Sequence, residues 1–377
     1  MDILDRTKQL ENIFSLQGKT ELAGSNIDII PFQFEQTFRK SEIREIQQKT
    51  PYAEFCDLSD SNIGENKTFN YWIFNPKGRE KSEKSILLLH GLNERSWKKY
   101  LPWAEYLCLT TGKPIILFPI AFHMNRTPYF WNNPRMVLPW VNKRKEDIKE
   151  IQNSTFVNIA LSSRLSQDPL RFYTSGRETI YNIWQLIHEM KEGKHPLFRE
   201  DCSVNLFGYS IGAMLSEVLL LANPSNLFSK SKLFMFCGGS IFSKMNGNAR
   251  DIMDSDANTR LQYFYQNDFI KEKGAESDFI QKAFKAIIRP DRLKKFRENF
   301  FEQEQSRIRA VSLAQDIVMT TNGIVSALGK SSGRILDELD FPYSYSHQWP
   351  FPLNTKTDKM LINASFQNVF NRAGSFL

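Results

Sequence analysis

The segment Val204-Asn205-Leu206-Phe207-Gly208-Tyr209-Ser210-Ile211-Gly212-Ala213 sets a serine in a G-x-S-x-G turn between an apolar run and an apolar helical pattern. A nucleophilic serine needs that context, because the turn holds it in a strained conformation and the flanking glycines let neighbouring backbone pass closely. Attack at neutral pH also needs a base, usually histidine, whose tautomer a carboxylate fixes. A serine on such a turn is followed along the chain by the acid and then the histidine. Of the five histidines (His90, His123, His188, His195 and His347) only His347 lies after Ser210, so it is the candidate base. Asp316, directly past the apolar run Ile308 to Leu313, ranks first as the acid, with Asp251, Asp254 and Asp256 as alternatives. Acyl transfer places negative charge on a carbonyl oxygen, which backbone N–H groups stabilise. The candidate donors are the N–H of Ile211, next to the nucleophile, and that of Leu92 in Leu87-Leu88-Leu89-His90-Gly91-Leu92-Asn93. His90 is then a structural histidine beneath that loop.

These groups must be carried by a rigid frame. Short apolar, β-rich runs occur at Phe69 to Phe74, Ser85 to Leu89, Pro114 to Ile120, Val204 to Phe207, Lys232 to Cys237, Ile308 to Leu313 and Arg334 to Leu339. Several are apolar almost throughout, as strands covered on both faces are. Helical patterns alternate with them: Ile180, Ile183, Trp184, Ile187 and Met190 recur at helical spacing before Gly193, and Ala213 to Leu221 is apolar nearly all round. Strands alternating with helices predict an α/β class with a mostly parallel central sheet. Residues 1–66 read as an N-terminal extension packing on a core at 67–352, and 353–377 as a C-terminal helix. Two stretches break the alternation, at about 121–175 and 243–306, and read as cap or lid insertions.

A second G-x-S-x-G, Gly329-Lys330-Ser331-Ser332-Gly333, has no apolar strand before it and reads as a polar loop. As a phosphate loop it would need a glycine where Ile324 stands.

Composition narrows the class. Hydrophobic residues are 41% and charged residues 24%, as in a globular chain. The net charge of +7 is spread among acidic residues, as in Lys143-Arg144-Lys145-Glu146-Asp147, which argues against nucleic-acid binding. Cys56, Cys108, Cys202 and Cys237 lie far apart without a C-x-x-C pair, so neither a metal site nor a disulfide framework is indicated. No run of 18 or more apolar residues and no basic-then-apolar leader occurs, giving the expectation of a cytoplasmic protein without a transmembrane segment.

Taken together, the strand ending in His90-Gly91, the turn Gly208 to Gly212, the strand-end Asp316 and the late His347 resemble the α/β-hydrolase superfamily over about residues 67–352. The resemblance implies a serine hydrolase of esterase or lipase type, acting on a small molecule with an acyl group through an acyl-enzyme on Ser210, and requiring no cofactor or metal. Amide and thioester cleavage occur on the same fold, as does a catalytically silent fold that binds a ligand or protein. The loop continues Leu92-Asn93-Glu94-Arg95 instead of the glycine-rich run of some esterases. Tyr209, Phe122, Trp131 and Trp349 are the candidate pocket residues. Phe122, Tyr129, Phe130, Trp131 and Trp140 either line an acyl pocket or pack the first insertion onto the sheet. Arg126 and Arg135 read as surface residues, with receipt of an anionic group as the alternative.

Overall fold

The computed structural model describes residues 2–22, 24–38, 60–78, 80–271, 278–353 and 356–377. Among the described residues nine strands form one sheet: β1 (Thr20–Glu21), β2 (Ile27–Glu35), β3 (Thr68–Pro76), β4 (Ser82–Leu89), β5 (Ile115–Leu117), β6 (Phe198–Tyr209), β7 (Leu233–Phe236), β8 (Ile308–Leu313) and β9 (Leu336–Leu339). Their order is β1-β2-β3-β5-β4-β6-β7-β8-β9. The pairs from β1 to β5 are antiparallel, and every pair from β5–β4 onward is parallel. This is the α/β-hydrolase fold, with one two-residue strand added at its antiparallel edge. The order reverses between β4 and β6, and such a reversal opens a crevice beyond the strands' carboxyl ends.

The strands are buried on both faces because alternate residues feed two separate cores. Leu87, Leu89, Leu206 and Met235 point into one, and Ile86, Leu88, Phe207 and Phe236 into the other. The main helices are α1 (Ile3–Ile13), α2 (Leu101–Thr111), α3 (Pro134–Asp147), α4 (Ile159–Gln167), α5 (Leu170–Lys191), α6 (Ile211–Ala222), α7 (Ser255–Asn267), α8 (Phe279–Ala286), α9 (Lys294–Glu304), α10 (Thr321–Leu328) and α11 (Lys359–Phe376). Helices α1, α2 and α11 close the second core through Leu4, Trp103 and Phe370, while α5 and α6 close the first through Ile183 and Leu219.

No strand is expected from sequence before Phe69, yet β2 pairs with β3 along its whole length, from Ile27↔Pro76 to Glu35↔Thr68. Pro31 interrupts its pattern and lacks an N–H, which suits an edge. Beyond Ile29 β2 is the edge, since β1 pairs only with Asp28 and Ile29. Residues 329–331 and 332–335 are short helical turns where a polar loop is expected.

The stretches 121–175 and 243–306 meet each other. Arg144 of α3 binds Asp254, the N-cap of α7, through Nε–Oδ2 at 2.7 Å and Nη2–Oδ1 at 3.0 Å, and reaches Asp256 at 3.1 Å. The Asp254 N–H donates to Ser162 of α4 at 3.0 Å. Asn93, in the loop after β4, donates to the carbonyls of Val157 and Asp251, one from each stretch. Among the described residues no helix is long and apolar enough to cross a membrane.

Candidate active site

Strand β6 ends at Tyr209 and α6 begins at Ile211, leaving Ser210 alone in the turn at φ 56°, ψ −121°, a region costly for any residue with a side chain. The close approach that permits this turn excludes side chains around it. A Cβ on Gly208 would lie 2.5 Å from the Ala213 Cα, and one on Gly212 would strike the carbonyls of Leu89 and His90. A Cβ on Gly238, just past β7, would lie 2.6 Å from the Ser210 carbonyl oxygen. Gly238 escapes the sequence reading, although the pair Gly238-Gly239 directly after an apolar run is its signal.

Ser210 Oγ is 2.7 Å from His347 Nε2, and His347 Nδ1 is 2.7 Å from Asp316 Oδ2. All three residues are buried. The other Asp316 oxygen accepts the N–H groups of Val318 and Met319 at 2.9 Å each, so the carboxylate is held as an acceptor on both sides. That bonding fixes Nδ1 of the imidazole as the donor and leaves Nε2 to accept from the serine. Asp254 is committed to Arg144 and to the Ala257 N–H, and is not part of this line.

The histidine loop is held from below. Tyr209 stacks under the His347 ring, with centroids 5.7 Å apart and planes at 15°, and its hydroxyl donates to the His347 carbonyl. Burial pushes the Tyr209 phenol well up, which keeps it a donor. Lys99 donates to the Gln348 carbonyl at 3.0 Å, lies 4.7 Å from the centre of the Tyr209 ring, and pairs with Glu94. Glu94 in turn accepts from the Tyr100 hydroxyl at 2.7 Å, which accepts the Gly91 N–H at 3.0 Å. A chain of contacts therefore joins the loop after β4 to the loop carrying His347. His90 sits beneath the first of these loops, accepting the Ile120 N–H at Nε2 and bonding the Gly91 carbonyl through Nδ1.

A cavity opens at Ser210, lined by Leu92 and Ile211 and, further in, by Phe172, Phe242, Met253, Leu261 and Met319. The space open to the centre of a water molecule is about 40 Å³, where one water needs about 10–15 Å³. Among the described residues, no acceptor bonds the N–H of Leu92 or of Ile211, and both residues border this cavity beside Ser210. The start of α6 adds the positive end of a helix dipole there.

The four expected pocket residues lie elsewhere. Tyr209 is under His347, Trp131 is covered by the Arg164 guanidinium at 4.4 Å, Phe122 lies 5.9 Å from the same group, and Trp349 borders a different hollow with Ile3, Lys99 and Trp103. Their places are taken by α5, by the second insertion and by the segment after Asp316, whose direction into the cavity no local pattern announces. Arg126 is fully buried, not a surface residue; its guanidinium donates to Asn66, Asn182 and the Pro119 carbonyl. Among the described residues no cluster of histidine, cysteine or carboxylate side chains is arranged to hold a metal. Cys108, Cys202 and Cys237 are buried and form no disulfide among the described residues, outside which Cys56 lies.

A serine, a histidine and an aspartate thus stand in one hydrogen-bonded line on an α/β-hydrolase fold. The chain belongs to the family of unknown function DUF6051, whose model matches residues 1–377. No curated protein matches it. Solved structures similar to it include a mutant of the esterase rPPE complexed with (S)-Ac-CPA, at 10% identity over 100% of this chain and 97% of that one, with a TM-score of 0.47. Carboxyl esterase 2 of the mycorrhizal fungus Tuber melanosporum is similar at 10% identity over 100% and 98%, with a TM-score of 0.44. A hyperthermophilic esterase of the archaeon Pyrobaculum calidifontis follows at 8% identity over 99% and 90%, with a TM-score of 0.45. The fold assignment rests on the strand order and connections described above.

Proposed function

We propose that this protein is a serine hydrolase that cleaves a carboxylic ester, with an amide or thioester as further substrates of the same chemistry, through an acyl-enzyme on Ser210. The observation that carries the reading is the pair of 2.7 Å hydrogen bonds linking Ser210, His347 and Asp316, set at a strained strand-to-helix turn. Ser210 Oγ attacks the carbonyl carbon as its proton passes to His347 Nε2, and Asp316 stabilises the imidazolium through Nδ1–H. The N–H groups of Leu92 and Ile211 receive the oxyanion. The tetrahedral adduct collapses when His347 returns the proton to the leaving oxygen, releasing an alcohol. Water then repeats the two steps on the acyl-enzyme, releasing the acid and restoring the Ser210 hydroxyl.

The two insertions act as a cap over an apolar acyl site. With only about 40 Å³ open to the centre of a water molecule, the cavity favours short acyl chains of roughly two to four carbons. The test is a panel of p-nitrophenyl esters from acetate to laurate. Turnover by the wild type with kcat/KM highest at the short end, and none above background with Ser210→Ala, is expected. Equal turnover by wild type and Ser210→Ala would overturn the reading.

A further inference from the structure

A second space, of about 20 Å³ by the same measure, adjoins the first: Leu92, Phe172 and Ile211 border both. Its other walls are mostly apolar, among them Ile120, Met214, Leu215 and Phe284, and its two polar side chains are Ser175 and His123. Ser175 is occupied, since its hydroxyl donates to the Ala121 carbonyl at 2.8 Å. His123 differs. It is only 5% exposed, and its Nδ1 lies 2.9 Å from the same carbonyl, which requires the proton on Nδ1 and leaves Nε2 with a bare lone pair. Among the described residues no donor reaches Nε2. The nearby His90 ring, 5.4 Å away between centroids, cannot supply one, because both of its nitrogens are engaged.

Burial pushes the His123 pKa down to about 4, so the ring is a neutral acceptor at neutral pH. A buried acceptor left without a donor is unfavourable, and phenylalanine or leucine at this position would present no such acceptor. The adjoining space exceeds the about 10–15 Å³ that one water needs, and the His123 side chain lines it, with under 1 Å² of surface on Nε2 itself in the free protein. The space also lies on the acyl side of the reaction. His347 must reach the leaving oxygen, and it borders neither space, whereas Leu92 and Ile211, which flank the carbonyl oxygen, border both.

We propose that this second space is a specificity subsite in which His123 Nε2 accepts a hydrogen bond from a hydroxyl on the acyl group, so that the enzyme favours short hydroxyacyl esters over plain ones. The proposal rests on the reading of Ser210 as the nucleophile. A site built around a polar group discriminates strongly against a substrate that leaves that group unpaired, whereas a missing methylene in an apolar pocket changes little.

The experiment compares kcat/KM for p-nitrophenyl 2-hydroxybutanoate and 3-hydroxybutanoate with that for p-nitrophenyl butanoate, each corrected for its rate of hydroxide-catalysed hydrolysis. The expected ratio for at least one hydroxy ester is about tenfold or more above unity in the wild type. It falls to near unity in His123→Phe and is retained in part in His123→Gln, which keeps an acceptor. Thermal unfolding establishes that the variants fold; if His123→Phe does not, the wild-type ratio and His123→Gln decide. Ratios at or below unity for both hydroxy esters in the wild type, or the same ratio in folded His123→Phe, would overturn the subsite. Absence of turnover of all three esters, with Ser210 unlabelled by a fluorophosphonate, would instead remove the Ser210 reading on which it stands.

Discussion

At the rim of the sheet, Ser210 and Asp316 follow the last residues of β6 and β8, Tyr209 and Leu313, by one and three positions, while His347 lies eight positions past Leu339 of β9. The walls of the cavity above are held differently. Met253 and Leu261 belong to the stretch 243–306, which is tied to the stretch 121–175 by side-chain contacts, chiefly the buried Arg144–Asp254 pair, and to the loop after β4 by Asn93, which bonds both stretches. Strand ends therefore set the places of Ser210 and Asp316, a loop pinned by Tyr209 and Lys99 brings His347 to them, and side-chain contacts far apart in sequence set the shape of the cavity. The two regions should fail in different ways: damage at the rim removes chemistry and leaves the fold, and damage to the cap removes stability and substrate preference first.

The largest effects are expected at the rim. Ser210→Ala and His347→Ala should each lower kcat by about 10⁴- to 10⁶-fold with an unchanged unfolding midpoint. Full activity in either would break the comparison at its strongest point. Asp316→Asn should lower kcat by about 10³- to 10⁴-fold. The amide oxygen would take the place that receives the Val318 and Met319 N–H groups, turning the NH2 toward His347 Nδ1 and forcing the unproductive tautomer. A loss confined to Asp254→Asn, with Asp316→Asn fully active, would move the acid to the cap.

In the cap, Arg144→Met strands Asp254, which is fully buried, without its partner. Breaking one side of a buried pair costs about 3–5 kcal/mol, so denaturant unfolding should show a loss of that order, and the ester chain-length profile should broaden. Arg144→Met combined with Asp254→Asn should recover much of the stability. A variant that lost kcat on every ester and no stability would contradict the division between the regions.

The smallest expected effect is a pH dependence of stability. His123 and His195 are buried as neutral rings with pKa values pushed down to about 4, from an ordinary value near 6.5. The unfolded chain takes up these protons at about pH 6.5, and the folded chain only near pH 4. Their contribution is thus complete above pH 6.5 and is lost as pH falls toward 4, on the order of 1–3 kcal/mol for each ring. The unfolding midpoint followed from pH 7 to 4.5 should decline, and His123→Gln should make the decline shallower.

The same division explains what the sequence makes legible. The turn at Gly208 to Gly212 is a local pattern, and β8 spans the residues its apolar run predicts, Ile308–Leu313. The loop that brings His347 over Ser210 has no pattern of its own, but the chain order of the three residues stands in for it. β2 is hidden by Pro31, tolerated only because β1 stops at two residues. β5 is shorter than its apolar run, keeping only Ile115–Leu117 in the sheet. The cavity walls are the least legible, because the aromatic residues of 121–175 point to Trp131, which Arg164 covers, while much of the lining comes from Met245, Ile252, Met253 and Leu261 of 243–306. Composition marks a residue as buried without saying which surface buries it.

The central claim is that Ser210 is an activated nucleophile. The direct measurement is treatment of the folded protein with a fluorophosphonate, followed by mass spectrometry of its peptides, alongside Ser210→Ala. The account predicts one stoichiometric adduct on the peptide containing Ser210 and none in the variant. Folded wild type that takes no adduct, or a variant that is labelled as fully as the wild type, would contradict it.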